Sequence, residues 1–294
     1  MRSVFAAAVL LMSAGCASSS STPVREPTGD SVILAKRLAD IERRSGGRLG
    51  IAVTDTTGRL LFGQRADERF AMCSTFKLLL AGQVLRGAAH GGLSLRTPLP
   101  FAGADLLPHS PYSETQLAAG ELRLGFAAEQ IVKVSDNAAA NLILKATGGP
   151  ASFTRQLRAM GDTVTRLDRA EPGLNENAPG DPRDTTSPAA MAKSAARLVY
   201  GDHLASDYRR MLRSWLIDSE TGWARLRAGL PPAWIAGDKT GTCGTAYNDV
   251  AFIEAPDGGR YMVAAYLDRP SVSDDAANGL LAEVGRAVAE NPID

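Results

Sequence analysis

The order of strand-like and helix-like patterns along the chain is the feature that most constrains its fold. Five apolar segments with strand character lie near the two ends of the sequence, at 49–54, 60–62, 233–242, 249–254 and 261–267. Between about residues 66 and 218 the apolar spacing is helical, and Gly and Pro break the segments. Helical spacing also predicts helices over 29–45 and 276–290. We therefore predict an α+β protein, in which both ends of the chain build an antiparallel sheet and a helical insertion lies between them.

The length of 294 residues is enough for about two structural units. We assign residues 29–65 and 219–294 to one lobe that combines sheet and helix. Residues 66–218 form the second, all-helical lobe in this interpretation, and no internal repeat is visible.

The first 28 residues are typical of an export signal followed by a tether. Arg2 precedes an apolar run over 4–12 and then small residues, a pattern that predicts a secretory signal peptide over 1–16. The residues before Cys16 also match the end of a bacterial lipoprotein signal, in which this Cys would carry lipid. The Ser-rich segment 17–28 is typical of a flexible tether. The signal pattern predicts an exported, periplasmic protein, either free or tethered through Cys16. Because no stretch approaches the roughly 20 apolar residues of a membrane span, we expect no transmembrane segment in the mature protein.

Charge and histidine content argue against several functions. The 32 basic and 32 acidic side chains give a formal net charge of zero, which removes the electrostatic argument for nucleic-acid binding. No two of the three His residues have the H-x-x-x-H spacing of a helical zinc site. The sequence has neither a P-loop nor a G-x-G-x-x-G motif, so nucleotide binding has no support. We expect no metal and no cofactor.

Three short motifs carry groups suited to nucleophilic chemistry. Ser74 and Lys77 are three residues apart at the start of an apolar helical segment, so they share one helix face. A helix N-terminus and burial both favour a neutral amine there, which could accept the serine proton. Ser135-Asp136-Asn137 precedes a second apolar helix, and Lys239-Thr240-Gly241 ends a strand-like segment. Taken singly, the motifs also fit a helix cap with a solvated lysine, a second cap, and a strand edge followed by a turn.

Together and in this order, the three motifs resemble those of class A serine β-lactamases and penicillin-binding proteins. The resemblance covers about residues 30–290. It implies the fold of those proteins, a lobe with a five-stranded antiparallel sheet beside an all-α lobe.

The segment 169–184 distinguishes the two relatives. It contains several Pro and Gly residues, so neither a helix nor a strand can run through it, and irregular segments of this length are usually functional or disordered. It resembles the Ω-loop of class A enzymes, in which residues matching Glu171 and Asn175 hold a water. In that family Arg and Asp residues matching Arg169 and Asp184 pair at the two ends of the loop.

The resemblance implies a role for each catalytic group. Ser74 would be the nucleophile, and either Lys77 or Glu171 acting through a water would take its proton. Ser135 would pass a proton to the leaving ring nitrogen. Glu171 would then activate the water that hydrolyses the acyl-enzyme.

Substrate binding is implied for a second set of residues: Asn137, Asn175, Lys239, Thr240, Gly241, Thr242, Arg225 and His109. Asn137 would bind the acylamino side chain of the substrate. Lys239, Thr240 and Thr242 would face its carboxylate. The backbone N–H groups of Ser74 and Thr242 would stabilise the developing oxyanion.

The finer positions follow the same resemblance. Arg225 matches an arginine behind the carboxylate site, the alternative being a residue of an amphipathic helix. His109 falls where the family has an aromatic gate residue, the alternative being a loop histidine. Asn141 matches an Asn that ties the Ω-loop backbone.

If Cys16 is removed or acylated, Cys73 and Cys243 remain, and cysteine parity alone allows either a disulfide or two thiols. These cysteines adjoin two motifs that must meet in one site. They also resemble the active-site disulfide of the class A carbapenemase subgroup. We therefore predict that Cys73 and Cys243 are paired.

The predicted function is hydrolysis of β-lactam antibiotics through a Ser74 acyl-enzyme, with carbapenem hydrolysis as a further hypothesis. The alternatives are a D-Ala-D-Ala peptidase or penicillin-binding protein and a non-hydrolysing penicillin sensor, neither of which needs Glu171 and Asn175. An unrelated serine hydrolase is not supported, because the sequence has no G-x-S-x-G motif. On resemblance, we expect a monomer that binds only small-molecule β-lactams. The sequence leaves the relative rates on the β-lactam classes and the response to inhibitors open.

Overall fold

The computed structural model describes residues 29–291 and 293. The predicted signal peptide over 1–16 and the predicted tether over 17–28, with Cys16, lie outside the described residues. Within the described part of the chain, no helix combines the length and the apolar character needed to cross a membrane.

The helices and strands of the described residues follow the predicted order. The helices are α1 (Gly29–Ser45), α2 (Phe76–Ala89), α3 (Pro111–Thr115), α4 (Leu124–Lys133), α5 (Asn137–Ala146), α6 (Gly149–Ala159), α7 (Pro188–Val199), α8 (Ser206–Ile217) and α9 (Asp274–Glu290). The strands are β1 (Arg48–Thr54), β2 (Leu60–Gln64), β3 (Phe70–Ala71), β4 (Pro98–Pro100), β5 (Glu121–Arg123), β6 (Thr185–Thr186), β7 (Ile235–Cys243), β8 (Ala246–Glu254) and β9 (Arg260–Asp268).

Five strands form the central antiparallel sheet, in the order β2-β1-β9-β8-β7. The first two come from the N-terminal part of the chain and the last three from the C-terminal part, so the predicted α+β architecture is confirmed. Strand β7 begins at Ile235, two residues later than predicted. The reason is a turn in which the N–H of Trp234 bonds the carbonyl of Pro231 at 3.0 Å.

Both faces of the sheet are buried. Because side chains alternate along each strand, neighbouring residues of one strand belong to different cores. In β9, Val263, Ala265 and Leu267 pack in a core with α1 and α9. Met262 and Tyr266, which alternate with them, pack in the larger core of the helical insertion. The sheet is therefore a partition between two hydrophobic cores, and its edge strand β7 is free to form one wall of a site.

The stretch predicted to be all-helical also contains four short strands, which corrects that prediction. Strand β3 pairs with β6, and β4 pairs with β5, as two small antiparallel ladders. Strands of two or three residues are too short to produce a period-two pattern, so the sequence carried no signal for them.

Candidate active site

A cavity of about 290 Å³ collects residues from distant parts of the chain. Its lining residues are Ser74, His109, Ser135, Asn137, Asn175, Thr221, Arg225, Thr240 and Thr242. All but Thr221 were predicted from the sequence. The other predicted residues, Lys77, Glu171, Lys239 and Gly241, are buried.

Ser74 lies in a single 3-10 turn, Cys73–Thr75, directly before α2. The side-chain amide of Asn248 in β8 donates to the carbonyls of Ala71 at 2.9 Å and Met72 at 3.2 Å. The hydroxyls of Thr75 and Tyr266 are 3.0 Å apart. Two strands of the central sheet therefore contact the residues on both sides of Ser74, β8 through the backbone before it and β9 through the side chain of Thr75.

Lys77 is completely buried, so the alternative of a solvated lysine is wrong. Its Nζ donates to the carbonyl of Ser135 at 2.8 Å and to Oδ1 of Asn137, and lies 3.2 Å from Oε1 of Glu171. Burial lowers the pKa of Lys77, while the negative charge of Glu171 acts in the opposite direction. The amine is thus held between a carboxylate that favours its charge and an interior that disfavours it.

The carboxylate of Glu171 is also inaccessible to solvent. Its Oε2 accepts a hydrogen bond from Nδ2 of Asn175 at 2.6 Å. Asn141 bonds both backbone groups of Glu171, donating to its carbonyl at 2.8 Å and accepting from its N–H at 3.0 Å. The Glu171–Pro172 peptide bond is cis. Asn141 on α5 therefore fixes the backbone of Glu171, and Asn175 in the same loop as Glu171 fixes one carboxylate oxygen.

The ends of the loop 169–184 are pinned together by one ion pair. Nε of Arg169 donates to Oδ2 of the buried Asp184 at 2.6 Å. Oδ1 of Asp184 accepts from the backbone N–H groups of Asp168 and Arg169. Between these ends the loop contains no α-helix or strand, and its one regular piece is a 3-10 turn over Gly173–Asn175.

The cap role considered for the second motif belongs to Asp136, whose Oδ1 accepts from the N–H of Ala139 at 2.8 Å at the start of α5. Ser135, the residue before it, has a φ of 60°, in the left-handed region that non-glycine residues rarely adopt. Its hydroxyl accepts from Nζ of Lys239 at 3.0 Å and of Lys77 at 3.4 Å. Both ammonium groups of the site therefore meet at this hydroxyl.

Strand β7 carries the third motif along the cavity wall. Lys239 is fully buried, and burial, followed by the nearby charge of Lys77, lowers its pKa to about 7. The hydroxyl of Thr240 donates to that of Thr221 at 2.7 Å. A Cβ at Gly241 would lie 2.7 Å from the carbonyl of Met72 and 3.1 Å from the amide of Ser74, so only glycine allows this close approach.

Arg225 is not part of an amphipathic helix, so that alternative is wrong. It is buried immediately before a 3-10 turn, Leu226–Gly229. Its guanidinium donates to the carbonyl of Gly241 at 3.0 Å, to the hydroxyl of Thr242 at 2.6 Å and to Oδ1 of Asn278 at 2.8 Å. Burial lowers its pKa, and the charge of Asp249 opposes this. The guanidinium therefore braces the end of β7 where it borders the cavity.

His109 lies exposed on the rim of the cavity. Its Nε2 is 2.9 Å from the carbonyl of Val134, and its own carbonyl accepts from the N–H of Asn137 at 3.0 Å. Nδ2 of Asn137 donates to the carbonyl of Pro108 at 2.8 Å. The loop of His109 and the start of α5 are thus joined on one side of the opening.

Cys73 and Cys243 form a disulfide, as predicted. Their Cα atoms are 5.6 Å apart, within the usual range, and the bond joins positions 170 residues apart. Both cysteines are buried with Ala71 and Ala246. The bond links the turn of Ser74 directly to the end of β7.

Several supporting residues were not predicted. Thr221 contacts Thr240, Asn248 contacts the backbone just before Cys73 and Ser74, and Tyr266 contacts the hydroxyl of Thr75, the residue after Ser74. Asn248 gave the clearest usable signal, since it and the adjacent Asp249 are polar residues inside a mostly apolar strand. The two other contacts join side chains far apart in sequence, for which a single sequence has no signal.

Two buried carboxyl groups lie behind Lys239, on β7 and β8. Asp238 pairs with Arg227 at 2.7 Å, and Oδ2 of Asp249 accepts from the N–H of Leu226 at 3.1 Å. Burial raises the pKa of both carboxyl groups.

Among the described residues, no group of three or more His, Cys, Asp or Glu side chains could hold a metal ion.

Comparison with known proteins identifies the family. A model of the beta-lactamase enzyme family matches residues 33–291. Beta-lactamase L2 of Stenotrophomonas maltophilia is 43% identical over 267 residues, covering 90% of this chain and 88% of that protein. The carbapenem-hydrolyzing beta-lactamase KPC of Klebsiella oxytoca is 40% identical over 261 residues, covering 88% of each.

Comparison with solved structures points to the same family. The structure of an ancestral (GNCA) class A beta-lactamase superposes with a TM-score of 0.85 at 49% identity, covering 87% of this chain and 99% of that chain. The fold is therefore that of the serine enzymes with a Ser-x-x-Lys motif. Within that group, the chain belongs to the β-lactamase enzyme family and is a class A serine β-lactamase.

Proposed function

We propose that this enzyme opens β-lactam rings with Ser74 and releases the product with water activated by Glu171. The observation that carries the proposal is the position of the buried Glu171 carboxylate, 3.2 Å from Lys77 and 2.6 Å from Asn175. Asn175 and Ser74 line one cavity, and the Asn175 amide is hydrogen-bonded to this carboxylate, which supports the proposal.

In the acylation step, the hydroxyl oxygen of Ser74 attacks the lactam carbonyl and its proton passes to the pair formed by Lys77 and Glu171. The backbone N–H groups of Ser74 and Thr242 stabilise the oxyanion, an arrangement supported by the close approach of Gly241 to the Ser74 amide. The carbon–nitrogen bond then breaks, Ser135 gives its hydroxyl proton to the ring nitrogen, and Lys77, which contacts Ser135, replaces that proton with the one taken from Ser74.

The substrate carboxylate binds at the end of β7. Thr240 and Thr242 present hydroxyls there, with the positive charges of Lys239 and Arg225 behind them. Asn137 holds the acylamino side chain, and His109 bounds the opening beside it. These contacts orient the lactam carbonyl toward Ser74.

Deacylation separates a hydrolase from a protein that only traps its substrate. Glu171 takes a proton from a water, the water oxygen attacks the ester carbon, and the bond to Ser74 breaks as that proton is returned to the Ser74 oxygen. A positioned general base of this kind contributes about 10²–10⁴-fold to a rate. A transpeptidase or a sensor has no use for a buried carboxylate held in this way, so hydrolysis is the favoured function.

The test is turnover of a chromogenic cephalosporin by the mature protein, followed in parallel by intact-mass analysis. We expect many turnovers per enzyme, and neither turnover nor adduct in Ser74→Ala. The matched control Ser206→Ala, an exposed serine at the start of α8, should retain wild-type turnover. A stable one-to-one adduct without turnover in the wild type would favour a sensor instead.

We further propose that carbapenems are among the substrates. The disulfide next to the nucleophile and the similarity to a relative named for carbapenem hydrolysis support this proposal. The test is the loss of carbapenem ultraviolet absorbance under multiple-turnover conditions. Hydrolysis of many equivalents supports the proposal, and a single equivalent bound without further loss contradicts it.

We propose that the enzyme is exported to the periplasm and tethered by lipid on Cys16. The sequence pattern before Cys16 supports this assignment. Metabolic labelling with a fatty acid should mark the full-length chain but not Cys16→Ser. Equal labelling of both, or labelling of neither, would contradict the tether. A monomer remains our expectation, and light scattering of the mature protein tests it.

A further inference from the structure

We propose that Arg269 is a positioning residue that holds the loop of Glu171 from the side opposite to the Arg169–Asp184 pair. The inference rests on the proposed role of Glu171 in deacylation. It concerns the segment after Asn175, where the loop leaves the catalytic cavity and passes the end of β9.

The contacts form a small closed network. The guanidinium of Arg269 donates to the carbonyl of Asn177 at 2.7 Å. Nδ2 of Asn177 donates to Oδ1 of Asp268 at 3.2 Å. Oδ2 of Asp268 in turn accepts from Arg269 at 2.7 Å and from Arg48 at 3.1 Å. The backbone carbonyl and the side-chain amide nitrogen of Asn177 are therefore held by Arg269 and by Asp268, the last residue of β9.

The segment 177–182 of the loop borders a cavity, so close packing does not hold it in addition to these hydrogen bonds. The loop residues 177–182 border a cavity of about 430 Å³ that lies between the loop and the ends of β1 and β9. Asp268 is nearly buried there, with its side chain 7% exposed, whereas the side chain of Arg269 is 39% exposed. This half of the loop therefore depends on polar anchors, while the half that carries Glu171 is fixed by Asn141 and the Arg169–Asp184 pair.

The same residue also contacts the turn between β7 and β8. The backbone N–H of Arg269 donates to the carbonyl of Thr245 at 2.9 Å, in the turn that follows Cys243. Arg269 is thus bonded to the loop that carries Asn175 and to the turn that ends β7. Its φ of 51° is in the left-handed region that non-glycine residues rarely adopt, so surrounding contacts must hold this conformation.

The consequence concerns one step of the reaction more than the other. Asn177 is two residues from Asn175, whose amide holds the Glu171 carboxylate. Loss of the Arg269 contact should let this carboxylate shift. Small displacements of a positioned group cost up to about 10²-fold in rate. Deacylation depends on Glu171 alone, whereas acylation also has Lys77 as a proton acceptor, so deacylation should suffer more.

The experiment measures acylation and deacylation separately, by rapid-quench kinetics and intact mass with one penicillin. The variants are Arg269→Ala, Arg269→Lys, and the control Arg260→Ala, an exposed arginine at the other end of β9. We expect Arg269→Ala to lower the deacylation rate about 10-fold or more, with a smaller change in acylation and accumulation of acyl-enzyme. Arg269→Lys, which keeps one donor, should recover part of the loss, and Arg260→Ala should behave as wild type.

Two results would overturn the inference: unchanged rates in Arg269→Ala, or acylation and deacylation that fall by the same factor. The second result would mean general destabilisation, which thermal unfolding of each variant reports independently. Glu171→Gln, measured in parallel, separates this inference from the proposal beneath it. If Glu171→Gln does not accumulate acyl-enzyme, the role of Glu171 is wrong. If it accumulates acyl-enzyme and Arg269→Ala does not, only the role of Arg269 is wrong.

Discussion

Lys77, Lys239 and Ser135 show how single residues set the chemistry of this site. Two fully buried amine groups approach one serine hydroxyl, and the negative charge of nearby carboxylates favours the protonated form of each. Burial disfavours the charged form of both lysines and lowers the pKa of each. Lys77 has the buried carboxylate of Glu171 as a direct partner, whereas Lys239 contacts only neutral oxygens.

This difference predicts a pH dependence for substrate binding. The pKa of Lys239 is lowered to about 7, so the ammonium group is present below that pH and is lost above it. The attraction for a substrate carboxylate should weaken as the pH rises through 7. Since kcat/KM reports ionisation of the free enzyme, we expect it to fall by up to about tenfold per pH unit above 7. A bound carboxylate raises the pKa of the lysine, so kcat should fall only at higher pH.

The control for this prediction is Lys239→Arg, whose guanidinium stays protonated over the whole range. Its kcat/KM should be lower than that of the wild type but should lose the alkaline fall near pH 7. An identical fall in both proteins would assign the titration to another group, such as Lys77. Thermal unfolding of the variant verifies that the buried arginine is accommodated.

At the scale of elements, the site depends on how closely β7 approaches the turn of Ser74. Gly241 allows this approach, and the Cys73–Cys243 bond joins the end of β7 to the turn. Arg225 donates a hydrogen bond to the carbonyl of Gly241 in the same strand. The strand, the turn and the helix α2 therefore act as one unit. Changes to this unit should lower the acylation rate more than the deacylation rate.

Gly241→Ala tests the approach directly. The added Cβ would lie 2.7 Å from the carbonyl of Met72, so strand and turn must move apart. We expect acylation to fall by about 10²–10³-fold, the usual cost of losing one oxyanion donor. The matched control is Gly279→Ala on α9, where a Cβ meets nothing within 4 Å and a gain of up to about 1 kcal/mol in stability is expected. Wild-type acylation in Gly241→Ala would contradict the account of this wall.

The disulfide predicts a change in stability. Closing a loop of 170 residues stabilises the native state by at most about 5 kcal/mol in the chain-entropy model. The double variant Cys73→Ser/Cys243→Ser of residues 29–294 should therefore unfold at a lower urea concentration than the wild type. A reductant should destabilise the wild type and leave the variant unchanged. Two free thiols in the denatured, unreduced wild type would show that the bond is absent.

For the molecule as a whole, the sequence pattern predicted the arrangement of the lobes better than it predicted their details. Long strands and helices such as β9 and α1 produce clear periodicity, so the sheet built from both chain ends could be predicted. The pairs β3–β6 and β4–β5 could not, because strands this short have no period. The start of β7 was misplaced because a turn at Pro231 precedes it.

The site followed the same division. Ser74, Lys77, Glu171 and the residues of the other motifs are recognisable because each motif is continuous in sequence. Thr221, Tyr266 and Arg269 act through contacts with residues far away along the chain. No local pattern reports such contacts, which is why the supporting residues required the structure.

The most direct test of the central claim is the intact mass of Glu171→Gln after mixing with a penicillin. We expect the whole population of this variant to gain the mass of one penicillin and to keep it long after the wild type has consumed its substrate. The matched control Glu176→Gln, an exposed glutamate of the same loop, should show turnover and no lasting adduct. Release of the adduct by Glu171→Gln at the wild-type rate would contradict the claim that this carboxylate activates the deacylating water.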